Sequence, residues 1–290
     1  MTQSLRDGLQ PLRELPLRLE QTDSLDQAAE RVQRTVKGAV PPGSPLNEAL
    51  SGTALGHPLH PPLTDAVIGA WASAVLLDLI GGKRCREAAD RLIALGVLSA
   101  LPTAAAGLND WATLFGPTRR VGVVHGANNL VATALFGTSW LARMGGRRVL
   151  GKGLALTGLG TVAFGAFLGG HLSFRRGVGV DHTAFLEAPQ EWTVVADEAD
   201  VNESDPMLVE VAGVEAMLVR RGESLFALLD RCAHQGGPLH EGTLEGGVVV
   251  CPWHSSRYRL SDGAALSGPT CHPQPALEVR VREGKIEVRR

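Results

Sequence analysis

Cys232-Ala-His234 and, sixteen residues further on, Cys251-Pro-Trp-His254 place two thiols and two imidazoles in one short stretch of chain. A thiolate pair with an imidazole pair is a metal-ligand set. It suits a 2Fe-2S cluster with thiolates on one iron and imidazoles on the other, and it suits tetrahedral zinc. Neutral imidazole in place of thiolate leaves a cluster less negative, so it accepts an electron more readily. An imidazole can also exchange a proton as the electron moves, because it titrates in the accessible range. The spacing argues against zinc, since neither a Cys-x-x-Cys knuckle nor a His-x-x-x-His helix is present. The Gly-rich flanks Gln235-Gly236-Gly237-Pro238 and Ser267-Gly268-Pro269 fit the cluster better.

Both arms need strand ends to carry them. From about Ala188 the chain turns to short alternating segments: 194–195, 208–211, 216–219, 225–229, 248–250, 277–281 and 286–288. Turns such as Arg221-Gly222, Gly246-Gly247, Asp262-Gly263 and Glu283-Gly284 separate them. Short, evenly spaced strands imply an all-β sandwich or small barrel. Residues 177–189 read as a linker before this 190–290 domain.

Residues 191–290 resemble the Rieske 2Fe-2S family throughout, down to the closing Leu277-Glu-Val-Arg-Val-Arg-Glu-Gly-Lys-Ile-Glu-Val288 run. The resemblance implies an electron-transfer domain, with Cys232 and Cys251 on the buried iron and His234 and His254 on the outer one. It also implies a surrounding shell of Gly236, Trp253, Ser256 and Tyr258. Respiratory members carry an extra cysteine in each cluster loop, joined as a disulfide. Gly237 and Trp253 stand at those positions here, as in ferredoxin-like members. Ser256 and Tyr258 match the hydroxyl residues that hydrogen-bond the cluster in respiratory members, and such donors raise the potential. Together these features imply an intermediate potential. Cys271 falls in the loop that covers the cluster in this family and reads as a small core filler.

Upstream, four apolar stretches at about 63–80, 92–109, 121–142 and 153–174 each have the length of a membrane span. Their Gly and Ala content suits closely packed membrane helices; a buried soluble bundle is the alternative. Residues 48–182 resemble an uncharacterised bacterial four-helix membrane family. Lys83, Arg84, Arg86, Arg91, Arg143, Arg147, Arg148 and Lys152 cluster on one side of these spans, which places both chain ends outside the cytoplasm. Gly146-Arg-Arg-Val-Leu-Gly-Lys152 also resembles a twin-arginine export signal.

Alternating spans bring His57, His60, Asp65, Asn109, Asp110, His125, Asn128 and His171 to one membrane surface. Polar groups in spans are costly and usually functional. His57, His60, His125 and His171 therefore mark either a haem b or quinol site, or ordinary capping of helix ends. Residues 1–56 are polar and proline-interrupted, with a surface helix over 24–36 and no amino-terminal signal peptide. The expected domains are thus 1–56, 57–176, 177–189 and 190–290.

Four cysteines are too few for a disulfide scaffold, and a net charge of −2 gives no reason to expect a nucleic-acid partner. The expected architecture is multidomain, a four-helix transmembrane bundle followed by an all-β Rieske sandwich. The expected protein is a multi-pass, membrane-anchored electron carrier of a bacterial cell membrane, its cluster domain on the extracytoplasmic side. It would be an oxidoreductase component exchanging single electrons between a quinol or haem and a redox partner protein, in contact with membrane lipid. Alternatives are a ferredoxin-like component of an oxygenase system and a cluster-based redox sensor. No 2-His-1-carboxylate set for a catalytic iron follows the cluster domain.

Overall fold

The computed structural model describes residue 8 and residues 10–203 and 205–290; residues 1–7 of the polar amino-terminal segment lie outside them. The described helices are α1 (Gln10–Glu20), α2 (Asp26–Ala39), α3 (Pro45–Ser51), α4 (His60–Ile80), α5 (Arg86–Trp111), α6 (Gly116–Met144) and α7 (Arg148–Gly170). One compact unit takes the chain up to Ala39 and again over Leu59–Arg176; the other takes Val40–Pro58 and Gly177–Arg290. The polar segment is therefore no separate domain. It is shared between the two units.

In the helical unit, α4, α5 with its preceding turn, and α7 with its following turn are long and apolar enough to cross a membrane. Helix α6, expected as the fourth span, has the length at 29 residues but falls outside that set. Arg119, Arg120, His125, Asn128 and Asn129 dilute its apolar character.

The helices form two hairpins built alike, a match that sequence reading missed. One interval along the chain separates His60 from His125, Thr64 from Asn129, Trp71 from Phe136 and Asp78 from Arg143. Each histidine lies against its own hairpin's second helix: His60 Nδ1 bonds the Thr103 carbonyl and His125 Nδ1 the Gly165 carbonyl. Trp71 and Phe136 stack face to face at 4.1 Å. A Cβ on Gly96 would come within 2.3 Å of Trp71, and one on Gly158 within 2.8 Å of Phe136. Only glycine admits both rings this closely.

Charge closes the bundle at both ends. At one, Arg143 pairs with Asp78 and with Asp90 (2.8 Å), and Arg148 bonds Asp90 (2.7 Å) and Asp78 (3.1 Å). Lys152 Nζ donates to the Asp78 carbonyl. Arg143, Arg148 and Lys152, assigned to one side of the spans by the charge pattern, are thus also paired within the fold. Arg148 in particular is committed to structure, which favours that role over an export signal. At the other end α1 and α2 supply the acids. Asp26 takes Arg119 (2.9 Å) and Arg120 (2.6 Å), and Glu20 takes Arg176 and His171 (2.7 Å). Gln33 Nε2 donates to the Leu114 carbonyl at 2.7 Å beyond the end of α5.

In the β unit, β1 (Thr193–Asp197), β2 (Met207–Val211), β3 (Val214–Arg221), β4 (Ser224–Leu229), β9 (Ala276–Arg282) and β10 (Lys285–Arg289) form one antiparallel sheet, ordered β1-β10-β9-β4-β3-β2. A second sheet runs β5 (Thr243–Glu245), β6 (Val248–Val250), β7 (Arg257–Arg259), β8 (Ala265–Ser267). Strands β3 and β4 are buried on both faces. Ala216, Leu218, Ala227 and Leu229 enter one core with Ile286 and Val288. Met217, Val219 and Leu228 enter the other with Val249, Tyr258 and Leu260 of the small sheet, and with Cys232 and Cys251.

Two outcomes test this architecture. Arg143→Met takes one of two guanidiniums from buried Asp78, leaving Arg148, and should lower the unfolding free energy in detergent by about 1.5–3 kcal/mol, the worth of a charged hydrogen bond. The Arg120 and Arg119 guanidiniums hold the Asp26 carboxyl below its usual range. Burial opposes ionisation of Glu20, yet Arg176 and His171 outweigh it and lower that group too. Both pairings contribute stability fully above the ordinary carboxylate range of about pH 4. That contribution is lost as pH falls through the lowered folded values. Thermal melts should show a falling midpoint below about pH 4, and a smaller fall in Asp26→Asn.

Candidate metal centre

Strand β4 runs into Asp230, Arg231 and Cys232, and β6 ends at Val250, next to Cys251. The two loops that follow have the same hydrogen-bond plan. In the first, Cys232 N–H donates to the Gly237 carbonyl and Gly236 N–H to the Cys232 carbonyl. In the second, Cys251 N–H donates to the Ser256 carbonyl and Ser255 N–H to the Cys251 carbonyl. The fourth residue after each cysteine, Gly236 (φ 76°) or Ser255 (φ 61°), is left-handed. Glycine adopts that conformation without strain, whereas Ser255 needs the surrounding bonds to hold it.

These loops bring all four expected ligand residues together. The cysteines are buried and free of disulfide. The Cys251 thiol and the Tyr258 phenol bond the Cys232 sulfur and pull its thiol below the usual range; the paired Cys251 is pushed up. Tyr258 Oη lies 3.2 Å from Cys232 Sγ. The His234 and His254 rings meet edge to face with centroids 5.0 Å apart. Burial, with His254 facing it, pushes the His234 imidazole well below its usual range, so it stands neutral.

Two orphaned atoms indicate what the site holds. His234 Nδ1 and Ser256 Oγ are buried with no partner within the protein. Buried polar atoms are seldom left so, and a ring nitrogen and a hydroxyl are what a metal and a cluster sulfur require. Among the described residues no three His, Cys, Asp or Glu side chains converge on a single ion position. A sulfur pair with an imidazole pair suits a two-iron cluster, thiolates on one iron and imidazoles on the other. The residues present fit a 2Fe-2S group.

Around the ligands, Gly237 leaves room that a Cβ would fill, 3.0 Å from both Cys251 Sγ and Trp253. Trp253 is 47% exposed beside His254. Cys271 is buried, its thiol donating to the Ser51 carbonyl at 2.9 Å, as a filler would.

Sequence reading missed two residues that brace the first loop. Gln274, 1% exposed, accepts from Ala233 N–H (2.9 Å) and donates to the Leu229 and Arg231 carbonyls. The available signal was a polar residue isolated between Pro273 and Pro275. His182, which the sequence left without a role, donates its backbone N–H to the Ala233 carbonyl. The stretch expected as a linker is therefore packed onto the ligand loop.

The membrane histidines are differently placed. His60 bonds Thr64 through Nε2 (3.4 Å) and His125 bonds Asn129 through Nε2 (3.0 Å), so both nitrogens of both rings are engaged. His171 is held by Glu20, and His57 belongs to the other unit. Haem ligation would displace these partners, and nothing in the arrangement supports it. A cavity of about 340 Å³ does open beside His171, lined by Arg13, Pro16, Phe167, Gly170 and Arg175.

Comparison with known proteins agrees with this division. The Rieske [2Fe-2S] domain family matches residues 191–281, and the predicted membrane protein family DUF2231 matches residues 56–182. Over 100 residues the chain is 33% identical to ferredoxin CarAc of Metapseudomonas resinovorans, covering 34% of this chain and 94% of that protein. It is 35% identical over 89 residues to the 3-phenylpropionate/cinnamic acid dioxygenase ferredoxin subunit of Escherichia coli K12, covering 30% and 83%. Among solved structures, the ferredoxin of carbazole 1,9a-dioxygenase from Nocardioides aromaticivorans IC177 is 29% identical with a TM-score of 0.33, covering 34% of this chain and 96% of that one.

Removing a hydroxyl beside the sulfurs should make reduction harder. Tyr258→Phe and Ser256→Ala should each lower the potential in a redox titration by roughly 20–60 mV, the worth of one hydrogen bond in a one-electron couple. Gln274→Leu takes the side-chain partner from three backbone groups, the Ala233 N–H and the Leu229 and Arg231 carbonyls, and should cost roughly 2–3 kcal/mol in thermal or urea unfolding.

Proposed function

Because this chain belongs to the Rieske [2Fe-2S] family through residues 191–281, and carries a DUF2231 domain over residues 56–182, we propose that it is a membrane-anchored one-electron carrier. The observation that carries the reading is one chain joining a paired Cys–His centre to a helical unit with three membrane-length apolar helices. In this reading Cys232 and Cys251 hold the inner iron of a 2Fe-2S cluster, and His234 and His254 hold the outer one. The cluster supplies one-electron exchange. Tyr258 turns its hydroxyl to Cys232 Sγ, the unpartnered Ser256 hydroxyl is kept for the cluster, Gly236 and Gly237 let the backbone close over it, and exposed Trp253 offers a face to a partner.

Helices α4 to α7 make a four-span anchor, α6 shielding its polar positions against its neighbours. Lys83, Arg84, Arg86 and Arg147 supply the cytoplasmic charge, which puts the cluster domain on the extracytoplasmic side. The donor is a quinol, and the cavity beside His171 is its site. Phe167 offers a ring face there, and the His171–Glu20 pair offers a route for the proton. His60 and His125 brace the hairpins, and haem has no part in the reading.

The 33–35% identity to dioxygenase ferredoxin subunits favours a second reading, in which the acceptor is a terminal oxygenase. Detergent-extracted protein should show a Rieske-type electron paramagnetic resonance signal on reduction, absent in Cys251→Ser. A quinol analogue should reduce the cluster, and His171→Ala should slow that step about tenfold or more, the loss of one general base. Reduction only through a soluble reductase, with turnover of an added oxygenase, would favour the second reading.

A further inference from the structure

Residues 40–55 lie outside both matched regions, and they belong to the β unit although helices of the other unit flank them in sequence. The chain leaves the helical unit after Ala39, contributes Val40–Pro58 to the β unit, and returns at Leu59. Helix α3, capped by Ser44 and ended by left-handed Gly52, delivers Thr53 to the 268–271 loop. Thr53 Oγ1 lies 3.0 Å from both the Gly268 and Thr270 carbonyls, which flank Pro269. The Ser51 carbonyl accepts from Cys271 Sγ at 2.9 Å.

That loop abuts the second of the two Cys–His loops. A Cβ on Gly268 would fall 2.7 Å from the Ser255 carbonyl and 2.9 Å from Ser256 Cα, so the loop presses on the second ligand loop. Thr270, 1% exposed, turns its own hydroxyl to the His272 carbonyl at 3.0 Å and so stiffens the same loop. A line of contacts thus runs from Thr53 through Gly268 to Ser255 and Ser256, whose backbone bonds close the loop on Cys251.

We propose that Thr53 is a positioning residue for the cluster: residues 45–55 form a strap that locks the 268–271 loop and, through Gly268 against Ser255 and Ser256, holds the loop around Cys251. The proposal rests on the reading of this centre as a Rieske site. It also makes the approach to the first membrane helix, α4, part of the cluster's own housing.

The test uses the full chain in detergent, with Thr53→Val, which removes the donor and keeps the shape, and Thr53→Ser, which keeps the donor. Amide hydrogen exchange at 268–272 should quicken about two- to tenfold in Thr53→Val, the worth of one hydrogen bond. The same variant should broaden or shift the cluster's paramagnetic resonance signal, and Thr53→Ser should restore both. Unchanged exchange in Thr53→Val would overturn the strap. Faster exchange with an unaltered signal would overturn its influence on the cluster. A wild-type chain that takes up iron and sulfide without any Rieske-type signal would overturn the functional reading instead, and exchange alone would then decide the strap.

Discussion

Two sulfurs and two imidazoles come from two separate loops with no disulfide between them, and much of the β unit serves to restrain those loops. Each ligand loop closes on itself with the same pair of backbone bonds, so the geometry is local before it is tertiary. The loops are then tied together from outside. Gln274 stitches the first to the end of β4, His182 adds a backbone bond, and the 268–271 loop presses on the second. Burial of Cys232 and Cys251 in the core shared by the two sheets leaves the imidazoles toward the half-buried side. A disulfide would add to this framework, but the hydrogen bonds already restrain both loops.

The helical unit solves a different problem, how to keep charge within apolar helices. Asp78 and Arg143 occupy equivalent positions in the two hairpins and meet each other, and Asp90 and Arg148 complete the set. Such a network costs desolvation and contributes little net energy against an apolar alternative, but it specifies how the hairpins pair. The Trp71–Phe136 stack does the same with shape, each ring seated over a glycine. His60 and His125 are read best in this light, as matched latches within hairpins rather than as ligands.

Much of this was legible in the chain. The ligand residues stand close in sequence, the strands β2, β9 and β10 alternate, and β3 and β4 show as short apolar runs between turns. The small sheet was seen only at Val248–Val250. Strands β5, β7 and β8 have three residues each, too few for periodicity to register. Helix α1 was hidden by Pro11 and Pro16, which read as breaks although the helix runs through them. Gln274, the strap and the ion pairs depend on partners tens to hundreds of residues away, which no local pattern encodes.

By itself, then, the sequence determined the chemistry: two thiols and two imidazoles at Rieske spacing, in a β domain that follows apolar helices. Those features reside in residue type and short-range spacing, and neither needs a partner to be recognised. Only the tertiary structure decided what surrounds them. It showed that Arg143 and Arg148 are paired within the fold, that His60 and His125 are engaged, and that residues 40–58 leave the helical unit to join the β unit. The reason is physical: whether a charge, a ring nitrogen or a hydroxyl is available depends on what else is within 3 Å or so of it, and folding alone brings those groups together.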